Sequence, residues 1–246
     1  MDKKEICKKI KEVVRKITIT HDGFVVGLGT GVIINSSGYL LTANHVLCDY
    51  SESSGKIIVN GIEDACTTEY KPILYNVKID IKDFFNPIII DLAILVPLSK
   101  IETNFMELSD NIAVEGEDVI MAGFPDDIKL PLNFDKALNF NNRDLKEKEY
   151  EIESFLKNSM RLMMARHGMI GSVQKIKIND NINGATYWID NALTYGASGG
   201  PVIDSSGKLI GIISEKGVTD GVDSKNLVPS GSAMALSHKL ITWSLK

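Results

Sequence analysis

One pattern occurs twice in this chain. Residues 31–41 read GVIINSSGYLL and residues 200–210 read GPVIDSSGKLI, at a constant offset of 169. Each copy reads as an apolar strand, a tight Ser-Ser-Gly turn and a returning strand. Glycine at the end of the turn supplies the positive φ that such a hairpin needs. A chain that builds the same hairpin in both halves is constrained toward two similar β-barrels.

The texture between the copies agrees. FVVGLGTGVII, YLLTA, KIIVNGI, PIIIDLAILVPL, DVIMAGFP, GMIGSVQKIKI, ATYWID, PVID and KLIGIIS are strand candidates separated by turn residues. This is all-β patterning, not a succession of βαβ units. Three stretches depart from it. Residues 3–17 place Ile6, Ile10, Val13, Val14 and Ile17 at helical spacing, so an amphipathic helix with a lysine-rich solvated face is expected within residues 1–20. Residues 131–160 are polar and charged, with Leu145, Ile152, Phe155 and Leu156 near helical spacing, and predict an inserted loop carrying a helix. From about Leu236 to residue 246 a closing helix is expected, with Leu240, Ile241 and Leu245 inward and Ser237 as its cap. The first barrel then covers residues 21–112 and the second residues 113–235.

Bulk properties exclude several classes. A net charge of −5 without a long single-sign block gives no nucleic-acid surface. Cys7, Cys48 and Cys66 lack metal spacing and are odd in number, so neither a zinc site nor a disulfide framework is expected. No metal or cofactor is expected. There is no apolar run of transmembrane length. The N-terminal stretch MDKKEICKKIKEVVRKI has no apolar core or cleavage site of a signal peptide, so a cytoplasmic location is expected if this is the natural start.

The second copy of the hairpin comes directly after the start of TYGASGGPVID, residues 194–204. GASGG fits two ways of presenting a nucleophilic serine. A G-x-S-x-G elbow requires a long helix after the serine, then an acid and a histidine. Ser198 is succeeded instead by Gly199, Gly200, Pro201 and a second strand-turn-strand, and only His238 lies downstream, so the elbow is not met. The other arrangement needs a histidine, an acid and the serine in that order. TANHV supplies His45 just after the first hairpin, DLAILVP supplies Asp91 at the start of an apolar strand, and Ser198 stands just before the second hairpin. Asp80 and Asp83 compete for the acid, and the DLAIL context favours Asp91. His21, His167 and His238 have no such setting and read as structural, and Cys48 reads as a core thiol.

These pieces resemble the chymotrypsin-fold serine peptidases, with a texture like that of the protease domain of the bacterial HtrA/Deg group. GTGVIINSSGYLLTANHV, DLAIL, ELSDNIAVEGEDVIMAGFP, GMIGSV, DNALTYGASGGPVIDSSGKLIGI and GSAMAL carry the likeness, from about Phe24 to Leu236. The resemblance implies two six-stranded antiparallel β-barrels with the site between them. Ser198 would attack a peptide carbonyl, His45 would take its proton, and Asp91 would orient the imidazole. Backbone N–H groups of Gly196 and Ser198 would bind the oxyanion, one such donor being worth roughly 3–4 kcal/mol. Ser214 would contact the aspartate. The strand of Ser214, Glu215 and Lys216 would pair with substrate backbone. Ala192 and Leu193 would lie at the floor of the first pocket, with Thr194 and Tyr195 next in the chain. Tyr195 and Lys216 either line the cleft or are simply exposed.

Departures from the family matter too. No cysteine directly succeeds His45, and no PDZ domain is expected after the catalytic part. Ala197 stands where digestive enzymes carry an aspartate and HtrA-like ones an asparagine, so activation through that aspartate is not expected. No acid faces the first pocket, whose wall near Gly231 and Ala233 is small, so a modest apolar P1 residue is expected. The function expected is a serine endopeptidase, latent until an activating partner orders the oxyanion loop. The rival is a catalytically inactive protease fold that binds peptides.

Overall fold

A computed structural model of the chain describes residues 1–61, 67–79, 85–125, 162–177, 182–191, 197–220 and 227–245. The expected insertion 131–160, Cys66 and the competing acids Asp80 and Asp83 lie outside the described residues.

Helix α1 (Lys3–Val13) leads without a loop into strand β1 (Val14–His21). Then come β2 (Phe24–Ile33), β3 (Leu40–Thr42), β4 (Gly55–Asn60), β5 (Thr67–Leu74), the short β6 (Lys78–Ile79) and β7 (Ile88–Ile89), and β8 (Ala93–Pro97). The second half holds β9 (Asp118–Gly123), β10 (Met164–Lys177), β11 (Asn183–Ile189), β12 (Pro201–Asp204), β13 (Leu209–Asp220) and β14 (Leu227–Ser237). Six strands close into an antiparallel barrel in the order β1-β2-β3-β8-β5-β4, and six more in the order β10-β11-β14-β13-β12-β9. The expected all-β, two-barrel architecture is therefore observed.

The repeated hairpins are alike in bonding as well as in letters. Gly38 N–H donates to Asn35 O at 3.0 Å, and Gly207 N–H to Asp204 O at 3.0 Å. Tyr39 N–H donates to the Asn35 side chain at 2.9 Å, and Lys208 N–H to that of Asp204 at 2.9 Å. The turn glycines have φ of +80° and +83°. The Asn/Asp side chain closes the turn and glycine accepts the left-handed backbone.

Two expectations at the ends of the chain need correction. The N-terminal helix stops at Val13, and residues 14–21 form the strand that closes the first barrel, pairing Ile17 with Val59 and Ile19 with Ile57. The spacing of Val13, Val14 and Ile17 satisfies a helix, but the β-branched run ITIT favours an extended chain, and pairing on both edges decides the outcome. At the other end Leu236 and Ser237 belong to β14, and helix α2 spans only Lys239–Thr242. His238, not Ser237, holds its cap position. Leu240 and Ile241 are buried as expected, but Leu245 is 36% exposed in a 3-10 turn beyond α2. Among the described residues no helix is long and apolar enough to cross a membrane.

One apolar cluster joins α1, the first barrel and the facing side of the second. It includes Ile6 and Ile10 of the helix, Leu40 and Leu95 of the first barrel, and Ile203, Leu209 and Ile241 from beyond the seam. A second cluster around Met121, Tyr187 and Val202 fills the second barrel. The barrels thus share a core, which fixes their relative placement.

His238 is 3% exposed at the seam of β14 and α2. Its Nε2 donates to Ser109 O at 3.0 Å, and its Nδ1 accepts from Thr242 Oγ1 at 3.1 Å, so the neutral ring is satisfied. Burial pushes its pKa down from 6.5 to about 4. The unfolded chain takes up this proton first, so the stabilisation is complete above pH 6.5 and is lost as pH falls toward about 4. Urea unfolding across that range should show His238→Gln losing ~3 kcal/mol less than the wild type. Equal acid sensitivity of the two proteins would mean that the ring is not held neutral.

Candidate active site

The register of the first barrel brings His45 to Asp91. Thr42 on β3 pairs with Ala93 on β8, so the residues leaving β3 run past those entering β8. After Thr42 the chain forms a 3-10 turn, Asn44–Leu47, with Val46 and Leu47 buried and His45 left half-exposed. Val46 packs on the bare backbone of Gly29, where any Cβ would lie 2.4 Å from it. The Asp91 carboxylate then takes two groups of one residue. Oδ1 accepts the His45 backbone N–H at 2.7 Å, and Oδ2 faces the ring Nδ1 at 2.8 Å.

A third donor comes from the second barrel. Strand β13 pairs Ile213 with Ala235 and Glu215 with Met234, so Ser214 is the extra residue of a bulge. A bulge re-aims the side chain it carries. Here the buried Ser214 hydroxyl donates to Asp91 Oδ2. Burial acts to raise the Asp91 pKa, but the hydrogen bonds from His45 and Ser214 and the imidazole charge outweigh it, and the carboxyl stays below its ordinary range. The hydrogen bond to Asp91 raises the His45 pKa above its ordinary 6.5, against burial, and the charges of Asp91 and Glu215 add to the rise.

Ser198 sits on a loop fastened to both barrels. Its carbonyl accepts Thr30 N–H from β2 at 2.9 Å, while Gly199 N–H donates to Ile213 O of β13 at 2.8 Å. Gly199 has φ +84° and lies so close to Thr30 O and Thr42 Oγ1 that a Cβ would fall 2.1 Å from each. Only glycine fits this conformation and this gap. Ala43 N is a further neighbour of that position, so the serine loop abuts the segment leading into His45. Ala197 is 1% exposed and packs on Gly123. Among the described residues no hydrogen bond joins the Ser198 hydroxyl to the His45 ring.

Of the residues singled out in the sequence, His45, Asp91 and Ser214 are in direct contact, with Ser198 on the same seam. Glu215 is exposed and Lys216 half-buried. Ala192, Leu193, Thr194, Tyr195 and Gly196 lie outside the described residues. The other histidines are bound elsewhere: His21 to Ser54 and Asp22, His167 to Asp118, His238 in the core. Cys48 is exposed rather than a core thiol: the turn spends its buried face on Val46 and Leu47, and the Cys48 Sγ donates to the neighbouring Asp49. Thr30 and Gly123 carry the serine loop; both lie in stretches quoted for the family likeness, but neither was singled out, because their contacts join distant parts of the chain. Among the described residues no three His, Cys, Asp or Glu side chains converge as metal ligands.

A family model described as a trypsin-like peptidase domain matches residues 29–212. Two solved structures share the architecture. The active form of the Rv3671c protease from M. tuberculosis superposes with a TM-score of 0.59 at 18% identity, covering 98% of this chain and 82% of that one. An inactive form of the Rv3671c protease gives 0.58 at 17% identity, covering 98% and 91%. At such identities the likeness is one of fold. No curated protein matches the chain.

The contact between His45 and Asp91 can be read without any substrate. The His45 ring should titrate above 6.5 in an NMR titration of the whole chain. Asp91→Asn removes the charge and should move that titration to lower pH. The same value in both proteins would show that the dyad does not form in solution.

Proposed function

Because the chain belongs to the family of trypsin-like peptidases, we propose that it is a serine endopeptidase acting on proteins or peptides through His45, Asp91 and Ser198. The observation that carries this reading is the grip of Asp91 on both the ring and the backbone of His45, beside the seam that holds Ser198.

In the proposed reaction Ser198 Oγ attacks the scissile carbonyl carbon while His45 Nε2 takes the hydroxyl proton. Nδ1–H stays bonded to Asp91, which fixes the tautomer and stabilises the imidazolium. The N–H groups of Gly196 and Ser198 are the proposed oxyanion donors. Collapse of the tetrahedral intermediate passes the proton from His45 to the leaving amine. Water, deprotonated by the same nitrogen, then releases the acyl group and restores the serine. Substrate backbone is proposed to pair with Ser214, Glu215 and Lys216, beside the pocket of Ala192, Leu193, Thr194 and Tyr195.

We further propose that the resting enzyme is latent and that a protein partner completes the oxyanion loop. One feature supports this: Ala197 stands where the digestive enzymes carry an aspartate and HtrA-like ones an asparagine, so it offers no polar side chain to order the loop. For the first pocket we propose a modest apolar P1 residue, since Gly231 has no side chain and Ala233 is buried.

A fluorophosphonate probe tests the assignment. With an activating partner present the wild type should label, and Ser198→Ala and His45→Ala should not, with turnover falling by a factor on the order of 10⁶. Equal labelling of the wild type with and without candidate partners would overturn the latency. Labelling that survives Ser198→Ala would mean another serine is the nucleophile. No labelling even with partners present would favour an inactive, peptide-binding protein. A positional peptide library should show cleavage after small or medium apolar residues, and strong cleavage after Arg or Lys would overturn the pocket assignment.

A further inference from the structure

The turn that carries His45 is held from a second direction. Asn44, immediately before His45, donates its Nδ2 to Asn76 Oδ1 at 2.9 Å and accepts Asn76 backbone N–H on its Oδ1 at 2.7 Å. The pair links positions 32 residues apart, between groups that water could satisfy instead. Its contribution to global stability is therefore small. Asn76 holds φ +51°, in the left-handed region. Asparagine tolerates that region better than most side chains, but it remains a costly backbone for a non-glycine residue. Next to it, the Tyr75 hydroxyl donates to Glu52 at 2.8 Å. Tyr75 and Asn76 thus straddle the His45 turn, one bonded to the residue before it and one to the loop after it.

Asp91 imposes a narrow condition on this turn. Its two oxygens must receive the backbone N–H and the ring Nδ1 of the same histidine. A small rotation of residues 44–47 could keep one bond but not both. We infer that Asn44 and Asn76 are positioning residues for His45, their reciprocal amide pair setting the turn at the one rotation in which Asp91 accepts both bonds. The inference rests on the peptidase reading for its kinetic consequence, but not for its effect on the dyad. Neither asparagine takes or gives a proton. Asn76 also starts the segment that passes through β6 and β7 and returns at Ile90, whose N–H donates to Val77 O at 2.9 Å, directly before Asp91. The base and the acid are therefore referenced to the same stem.

The test uses the whole chain and two readouts, the NMR titration of His45 and steady-state kinetics. Asn44→Ala removes both bonds. It should lower the His45 pKa and cut kcat about ten- to a hundredfold, the range that misplacing a reacting group costs. KM should stay within about twofold, because no substrate contact is lost. Asn76→Ala keeps the N–H but strains the left-handed backbone and should behave like Asn44→Ala. Asn76→Gly relieves that strain and keeps the N–H bond to Asn44 but not the Oδ1 acceptor, so it should recover the titration and activity only in part, and this pair carries the test if Asn44→Ala does not fold. A lowered melting temperature with unchanged titration and kcat would overturn the inference and leave the pair merely structural. Wild-type protein that titrates as expected but neither labels nor turns over even with partners present would defeat the peptidase reading alone, with the Asn44→Ala titration still deciding the positioning role.

Discussion

A single peptide unit, Ser198–Gly199, is hydrogen-bonded to both barrels at once. Its carbonyl accepts from Thr30 on β2 and its N–H donates to Ile213 on β13. Closing that bridge requires the loop to enter a gap lined by Thr30 O and Thr42 Oγ1, which excludes any side chain at Gly199. Thr42 Oγ1 in turn donates to Thr30 O at 2.6 Å, and Thr30 Oγ1 accepts Phe124 N–H at 3.0 Å from beyond the end of β9. The candidate nucleophile is thus located by backbone groups of two separate barrels, not by contacts of its own side chain.

The acid is shared across the seam in the same way. Asp91 takes two bonds from His45 in the first barrel and one from Ser214 in the second. A partly buried carboxylate is expensive unless its lone pairs are filled. Any slip of one barrel against the other removes a donor from Asp91 and opens the Thr30–Ser198 bridge together. Alignment of the barrels, ionisation of the acid and placement of the serine are therefore one structural condition. The apolar cluster running from Ile10 through Leu40 to Ile203 and Leu209 supplies the non-directional part of it, and the polar bridges supply the register.

Much of this was legible in the sequence because it depends on local patterns. The repeated Ser-Ser-Gly hairpin announced two like barrels, since an Asx-closed turn ending in a left-handed glycine is written in adjacent residues. The order of His45, Asp91 and Ser198 was legible for the same reason. The closing strand β1 was not. Its apolar positions also fit a helix, and only pairing with β2 and β4, more than thirty residues away at Ile57 and Val59, settles the matter. The C-terminal helix was read too long because Leu236 serves a strand and a helix equally well. The Asn44–Asn76 pair and the Gly123–Ala197 contact were invisible for a stricter reason. Each joins residues that no local rule connects.

That contact bears on how the serine loop is ordered. The position before the serine carries no polar side chain, so no side-chain hydrogen bond from it can fix the loop. Here Ala197 is fully enclosed, and the backbone of Gly123 on β9 lies so near that a Cβ there would come 2.8 Å from it. What holds this position is a close fit between two small residues. Such a fit resists displacement of the loop, because a close-packed interior tolerates little change of volume. It does little to select one peptide orientation from another, because dispersion is not directional. Orientation downstream of Ala197 is instead set by hydrogen bonds, with Gly199 N–H on Ile213 O and Gly200 N–H on Ala197 O at 2.9 Å. The serine is therefore anchored from its C-terminal side by directed hydrogen bonds, and at the Ala197 side chain by packing alone.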